Sequence, residues 1–273
     1  MQKKIGVLGC GWLGLPLAEL LVKNDFDVAG TTTSPEKLPM LAARNIQPFL
    51  LDLSQSEFSA DQLAFLDQET LVVNIPPKRN SGNSYSQQIG KLSELLRHSP
   101  VKNVLFVSST SVYKPSDEII TENSALDEEN ARELIAAEQL ISAPENPWQT
   151  TILRFAGLFG PGRQPGRFLA GKTDLPDPNS PVNLIHLTDC VQLILEIIAQ
   201  EKWGETFNAC ADTHPSRKEF YEAAAKAAGL VVPVFAAENQ PAGKVKLISN
   251  QKLKAALNYN FRFPDLILAL VQE

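Results

Sequence analysis

Cysteine is scarce in this chain, and its scarcity excludes several classes of protein at once. Only Cys10, Cys190 and Cys210 occur among 273 residues, far apart and odd in number. With no CxxC pair and no Cys/His cluster, neither a disulfide framework nor a structural zinc site is expected. Histidine is equally thin, with His98, His186 and His214 scattered along the chain, so no metal site is expected. No run reaches the roughly 18 apolar residues that a membrane span requires. The opening MQKKIGVLGCG has too short an apolar stretch, interrupted by glycine, to serve as a secretion signal. The expectation is a cytoplasmic protein with no membrane partner. Basic excess is missing too. Lysine and arginine number 25 against 31 aspartates and glutamates, a formal charge of -6, which disfavours a nucleic-acid partner.

What is present is alternation. Short β-branched runs at Ile5–Leu8, Asp27–Thr32, Pro48–Leu51, Thr70–Ile75, Asn103–Ser108 and Thr150–Phe155 read as strands. Helical stretches at Leu13–Val22, near 84–98 and near 129–142 fall between them, and Ser34-Pro35-Glu36 reads as a further helix start. Such alternation predicts βαβ units and an α/β fold, a doubly wound parallel sheet with strand order 3-2-1-4-5-6. After Phe155 the character changes. Residues 157–182 hold five glycines and five prolines and read as a long loop region. Helices near 188–199 and 217–228 and a strand near Thr206–Ala209 follow, with Ser216 and Glu219 spaced as a capping box. The expected organisation is a Rossmann dinucleotide-binding domain of residues 1–156 plus 188–202. A smaller α+β substrate lobe would comprise 157–187 plus 203–273.

The strongest motif is Gly9-Cys10-Gly11-Trp12-Leu13-Gly14, a GxGxxG between a predicted strand and a predicted helix. In that context the first glycine permits a tight turn, the second lets backbone approach a pyrophosphate, and the third allows helix to pack on strand. The helix N-terminus, with Trp12 and Leu13, then faces the anion. The second strand ends Thr31-Thr32-Thr33-Ser34 with no carboxylate, and Lys37 follows one turn on. Hydroxyls and a lysine suit a 2′-phosphate, which leans the expected cofactor weakly to NADP over NAD. The same residues also suit capping of the next helix. Asp52 and Leu53, after the third strand, are expected near the adenine, although Asp52 equally reads as a cap. Asn74, Ile75 and Pro76, ending the fourth strand, are expected along the phosphates and ribose.

Four further segments, in order, carry a resemblance. Val107-Ser108-Ser109-Thr110-Ser111-Val112-Tyr113 is similar to the SSxxVYG segment of extended short-chain dehydrogenases/reductases, the NAD-dependent epimerase/dehydratase superfamily. The runs LRFAGLFGPG from Leu153, VNLIHLTD from Val182 and Phe207-Asn208 resemble that superfamily's later motifs. GLFGPGRQPGRFLAGK, VNLIHLTD, THPSRKEFY and AGKVKLIS resemble the bacterial YeeZ-type group in particular. The resemblance implies NAD(P) binding, with Ser108 beside the cofactor and Ser109 as the catalytic serine. It also implies a YxxxK pair on the helix after the fifth strand. Aligning the glutamate that follows such a pair on Glu138 puts Asn130 at the tyrosine and Leu134 at the lysine. No other YxxxK occurs, since Tyr113 leads to Asp117 and Tyr85 to Ile89. This resembles an atypical member without the usual proton-transfer pair. Tyr113, a substitute phenol in principle, occupies a position that is usually structural in the superfamily.

Arg163, Arg167 and Lys172 lie in a glycine- and proline-rich stretch, and guanidinium groups read carboxylate and phosphate well. With His186 they are the candidates for binding a small polar, anionic substrate. A solvated basic loop and a satisfied core histidine are the plainer alternatives. Asp189 reads as the cap of the helix after it. The expected function is an NAD(P)-binding oxidoreductase or epimerase/dehydratase-like protein, as monomer or homodimer. A catalytically silent sensor or scaffold that binds NAD(P), and a nucleotide-sugar epimerase, are the alternatives.

Overall fold

The computed structural model describes residues 3–77, 84–236 and 245–271. The strands are β1 (Lys4–Leu8), β2 (Asp27–Thr32), β3 (Gln47–Leu50), β4 (Thr70–Val73), β5 (Asn103–Ser109), β6 (Ile119–Ile120), β7 (Gln149–Phe155), β8 (Gly157–Phe159), β9 (Leu184–His186), β10 (Thr206–Ala209) and β11 (Leu247–Ile248). The helices are α1 (Gly14–Lys23), α2 (Leu38–Ala42), α3 (Ala60–Leu63), α4 (Tyr85–Leu96), α5 (Arg132–Ile141), α6 (Gly166–Leu169), α7 (Leu187–Ala199), α8 (Arg217–Ala227), α9 (Gln251–Leu257) and α10 (Leu266–Ala269).

Seven strands form one sheet in the order β10-β7-β5-β4-β1-β2-β3. The pairs β1–β2, β1–β4, β2–β3 and β4–β5 are parallel, as crossover helices require. Leaving out β10, the strand expected near Thr206–Ala209, this is the order 3-2-1-4-5-6. β10 then extends the sheet past β7. The chain direction reverses its walk at β1 and β4, the place where an open α/β sheet binds ligands at its strand ends.

The residues divide into two compact units. Unit 1 comprises Met1–Ser108, Asp127–Leu153 and Val191–Thr206, and unit 2 comprises Ser109–Leu126, Arg154–Cys190 and Phe207–Glu273. The core of unit 1 packs β1, β4 and β5 through Leu8, Leu71, Val73, Val104 and Phe106. Ile89, Leu92 and Leu96 of α4 and Ala137 and Ile141 of α5 close over them. Their i, i+3, i+4 spacing is the apolar stripe of a surface helix. Unit 2 has its own cluster, with Phe159, Val182, Leu184, Phe220, Phe263 and Leu266 at its centre. No helix among the described residues is long and apolar enough to cross a membrane.

Local chemistry explains where helices start. Capping boxes open α3 at Ser59 and Gln62, α4 at Ser84 and Gln87, and α8 at Ser216 and Glu219. The start expected at Ser34-Pro35-Glu36 is a single 3-10 turn, Pro35–Lys37, leading into α2. Ser34 makes no capping bond there; its N–H donates to Thr32 Oγ1 at 3.1 Å instead.

Candidate functional site in the N-terminal unit

The three glycines of the first loop have different reasons to be glycine. Gly9 has φ +102°, and a Cβ there would sit 2.6 Å from the Asn74 carbonyl oxygen. A Cβ on Gly14 would lie 2.0 Å from the Gly9 carbonyl oxygen, because α1 starts against the loop. Both glycines are required by the protein's own atoms. A Cβ on Gly11 meets nothing within 4 Å. The fold does not require glycine there, and the open space is what a ligand's approach would require.

The loop is held rigidly. Gly9 N–H donates to Thr31 Oγ1 at 2.8 Å, and Cys10 N–H donates to the Thr31 carbonyl at 2.8 Å. Asn74 Nδ2 donates to the Gly9 carbonyl at 3.2 Å, so the ends of β2 and β4 clamp the loop from both sides. Burial pushes the Cys10 thiol up to about 12, against the pull of the Thr31 backbone bond, so it stays protonated. α1 begins without a side-chain cap and without an acidic residue in its first turn. The helix's own first turn therefore places no carboxylate against the positive end of its dipole.

These elements enclose a cleft of about 200 Å³. Gly9 and Gly11 line it, with Thr31, Thr32 and Thr33 after β2, Asp52 and Leu53 after β3, and Asn74, Ile75 and Pro76 after β4. Ser34 and Lys37 line it as well. Four lining residues escaped the sequence reading, Leu8, Cys10, Leu51 and Gln88. Gln88 left a signal, since it is a glutamine on the inward face of α4 among Tyr85, Ile89 and Leu92. Trp12, Leu13, Gly14 and Ser108 do not line this cleft. The Thr31 hydroxyl is spent on the glycine loop, and Asp52 Oδ1 accepts from Ser54 N–H at 3.0 Å. Asp52 thus stabilises a local turn and does not cap α3, which Ser59 caps.

Around β5 the side chains are committed to the fold. Ser108 is buried and donates to Glu138 Oε1 at 2.5 Å. Tyr85, whose hydroxyl donates to the Ile75 carbonyl at 3.0 Å, has its pKa raised by burial and then by the nearby Glu138 charge. Asn130 precedes α5 and donates its amide to both carboxylate oxygens of Asp127, at 3.1 and 3.0 Å. Leu134 packs against the apolar core. The two residues at the YxxxK positions therefore have structural work, and only Leu134 is on the helix.

In unit 2, Ser109 Oγ accepts from Ser111 N–H at 3.1 Å and caps the 3-10 turn that ends β5. Tyr113 is fully buried; its hydroxyl donates to Asn208 Oδ1 and accepts from Arg154 Nη1, both at 2.7 Å. Burial raises its pKa above the usual phenol value, with Arg154 opposing. His186 is buried between Phe159 and Phe263, ring centroids 5.2 and 4.0 Å away, and its Nδ1 accepts from Thr188 N–H. Asp189 is buried and accepts from Tyr259 Oη at 2.7 Å and from the N–H groups of Arg262 and Phe263 at 2.8 and 3.0 Å. It ties down the C-terminal segment, a different task from the helix cap read in the sequence. Arg163, Arg167 and Lys172 are exposed and do not line the cleft of unit 1. No group of metal-ligating side chains occurs among the described residues.

No protein-family model matches the chain. Protein YeeZ of Escherichia coli strain K12 is 33% identical over 271 residues, covering 97% of each chain. Among solved structures, the UDP-Glc/GlcNAc 4-epimerase of Campylobacter jejuni superposes with a TM-score of 0.79 at 17% identity, over 98% of this chain and 97% of that one. The UDP-glucuronic acid 4-epimerase of Bacillus cereus, in complex with UDP-glucuronic acid and NAD, gives 0.76 at 18% identity, over 98% and 96%. A Methylobacillus flagellatus protein assigned by name to the NAD-dependent epimerase/dehydratase group gives 0.77 at 24% identity, over the full length of both. At these identities the structural likeness is one of fold.

Proposed function

The chain belongs to the YeeZ family, and on that premise we propose that it binds a nicotinamide dinucleotide in the cleft of unit 1 and acts as an atypical epimerase/dehydratase-like oxidoreductase on a small polar substrate. One observation carries the binding half. Gly11 is glycine where the protein's own atoms leave room for a side chain. A backbone bared toward a cleft, beside an uncapped helix N-terminus, suits a pyrophosphate. Gly9, Gly11 and the first turn of α1 would hold the phosphates, and Asp52, Leu53 and Gln88 would border the adenosine half. One solved neighbour named above, the Bacillus cereus epimerase, has NAD bound, which supports the same reading.

Thr32, Thr33, Ser34 and Lys37 supply hydroxyls and a cation at the end of β2, and none of the cleft's lining residues from that strand end is a carboxylate. That composition favours NADP, because an acidic residue there would repel a 2′-phosphate. Calorimetric titration with NAD and with NADP tests both levels. No heat with either cofactor overturns the binding reading, and tighter NAD binding overturns the preference.

When bound, the nicotinamide ring supplies a hydride acceptor or donor. The resemblance of its segment to SSxxVYG makes Ser109 the candidate to polarise a substrate oxygen. Its Oγ accepts from Ser111 N–H, which leaves its hydroxyl hydrogen to donate. The exposed cations Arg163, Arg167 and Lys172 suit an anionic group on the substrate. A second reading is favoured by Asn130 and Leu134, whose side chains are engaged in the fold and supply no acid or base. In that reading the protein binds the dinucleotide without turnover. General acid/base groups contribute about 10² to 10⁴ in rate, so a slow enzyme and a silent binder are the two outcomes. Nicotinamide absorbance against a panel of aldehydes, ketones and nucleotide sugars separates them.

A further inference from the structure

α4 meets the cleft at two levels. Gln88 forms part of its wall, and Lys91, one turn further on, reaches the loop between β3 and α3. That loop carries Asp52 and Leu53 into the cleft wall and has no helix or strand of its own. Several bonds shape it from within or from α3. Asp52 Oδ1 accepts from Ser54 N–H at 3.0 Å, and the Asp52 carbonyl accepts from Gln55 N–H at 3.2 Å. Gln62 Nε2 donates to Gln55 Oε1 at 3.2 Å.

Lys91 acts on the loop from a separate element. Its Nζ donates to the carbonyls of Gln55 and Ser56, the latter at 3.0 Å, and stands 4.6 Å from the centroid of the Phe58 ring. Hydrogen bonds from an ionised donor are roughly twice as strong as neutral ones, and an ammonium over an aromatic face is attracted to it as well. Two successive carbonyls turned to one ammonium fix the backbone three residues past Asp52. The loop's own turn bonds set its local shape, while Lys91 sets its place against α4.

We infer that Lys91 is a positioning residue for the nucleotide. It holds the Asp52–Leu53 edge of the cleft against α4 in the conformation that receives the adenosine half, without touching the ligand itself. This inference rests on the dinucleotide reading of the cleft.

The test uses the full chain with Lys91→Met, which keeps the stem and deletes the charge, and Lys91→Arg, which restores a cation. ADP is the probe for the adenosine half, alongside NAD and NADP. Lys91→Met is expected to weaken ADP and the dinucleotides by one common factor of about tenfold, and Lys91→Arg to recover most of it. Amide hydrogen exchange in the free protein is expected to quicken at residues 54–58 in Lys91→Met while the melting temperature moves little. Should Lys91→Met fail to fold, Lys91→Gln takes its place in both measurements. Unchanged ADP affinity with unchanged exchange at 54–58 overturns the inference while leaving the cleft's assignment intact. A wild-type protein that binds neither ADP, NAD nor NADP overturns the dinucleotide reading, and the positioning role with it.

Discussion

Gly11 and Gly14 stand three residues apart and give opposite expectations. Gly11→Val is expected to fold with an unchanged melting temperature and to lose dinucleotide binding, since its Cβ direction is open. Gly14→Val is expected to lower stability sharply, because its Cβ collides with the Gly9 carbonyl. Thermal melts with cofactor titration check both, and retained NAD(P) affinity in Gly11→Val would falsify the assignment of the loop. His214 gives the pH expectation. Its pKa is lowered below 6.5 by burial, with the Val182 carbonyl and the Asp212 charge opposing, and its Nδ1 is buried without a partner. A proton on that nitrogen has nowhere to donate, so the fold favours the neutral ring. A His pKa lowered by folding means that the unfolded chain binds the proton first as pH falls. The stability from neutral His214 is therefore present above 6.5 and lost as pH falls through the folded value. Melts between pH 7 and 5 are expected to fall more steeply in the wild type than in His214→Gln; equal slopes would refute this.

Helices depend on their ends, and α4 shows this most clearly. The Ser84–Gln87 capping box starts the helix that brings Gln88 and Lys91 to the cleft, and Glu133 of α5 accepts from Ser86 N–H and Oγ at 3.1 and 2.8 Å. Ser84→Ala is expected to cost about 1 kcal/mol, read as a shift in the urea midpoint at constant slope. The apolar stripe of α4 was legible in the sequence because it repeats every three or four residues. The task of Gln88 was not, because a polar residue on an inward face shows only that something unusual lies opposite. Ser216 and Glu219 were legible as a cap, and the Ser59–Gln62 and Ser84–Gln87 pairs close equivalent boxes with glutamine in place of glutamate. Glutamine closes the box as glutamate does, since the bond back to the cap N–H needs only an acceptor.

The whole chain is interleaved, so neither unit is one continuous stretch. Unit 1 takes Val191–Thr206 from beyond unit 2's middle segment. A fragment ending at Phe155 therefore lacks part of unit 1 and is expected to lose fixed packing, seen as absent near-UV circular dichroism; a cooperative melt from that fragment would contradict it. In unit 2 the tie is Asp189, which gathers Tyr259, Arg262 and Phe263 onto α7. Asp189→Ala deletes a buried carboxylate that accepts three hydrogen bonds and is expected to cost about 3 kcal/mol, measured by urea unfolding.

The main sheet's strands and the glycine loop were written in the sequence, because each rests on neighbours within a few residues. Period-2 and period-3.6 patterns, a turn glycine and a helix start are local properties of the backbone. The duties of the polar side chains were decided by the tertiary structure. Tyr113 finds Asn208 95 positions away, and Asp189 finds Tyr259 70 positions away. A buried donor or acceptor takes whichever partner the packing of strands and helices brings within reach, and no local pattern encodes that neighbour. For the same reason the sequence supplied most of the cleft's wall, the strand ends, but not Lys91, whose hold on the 51–59 loop exists only once α4 lies beside it.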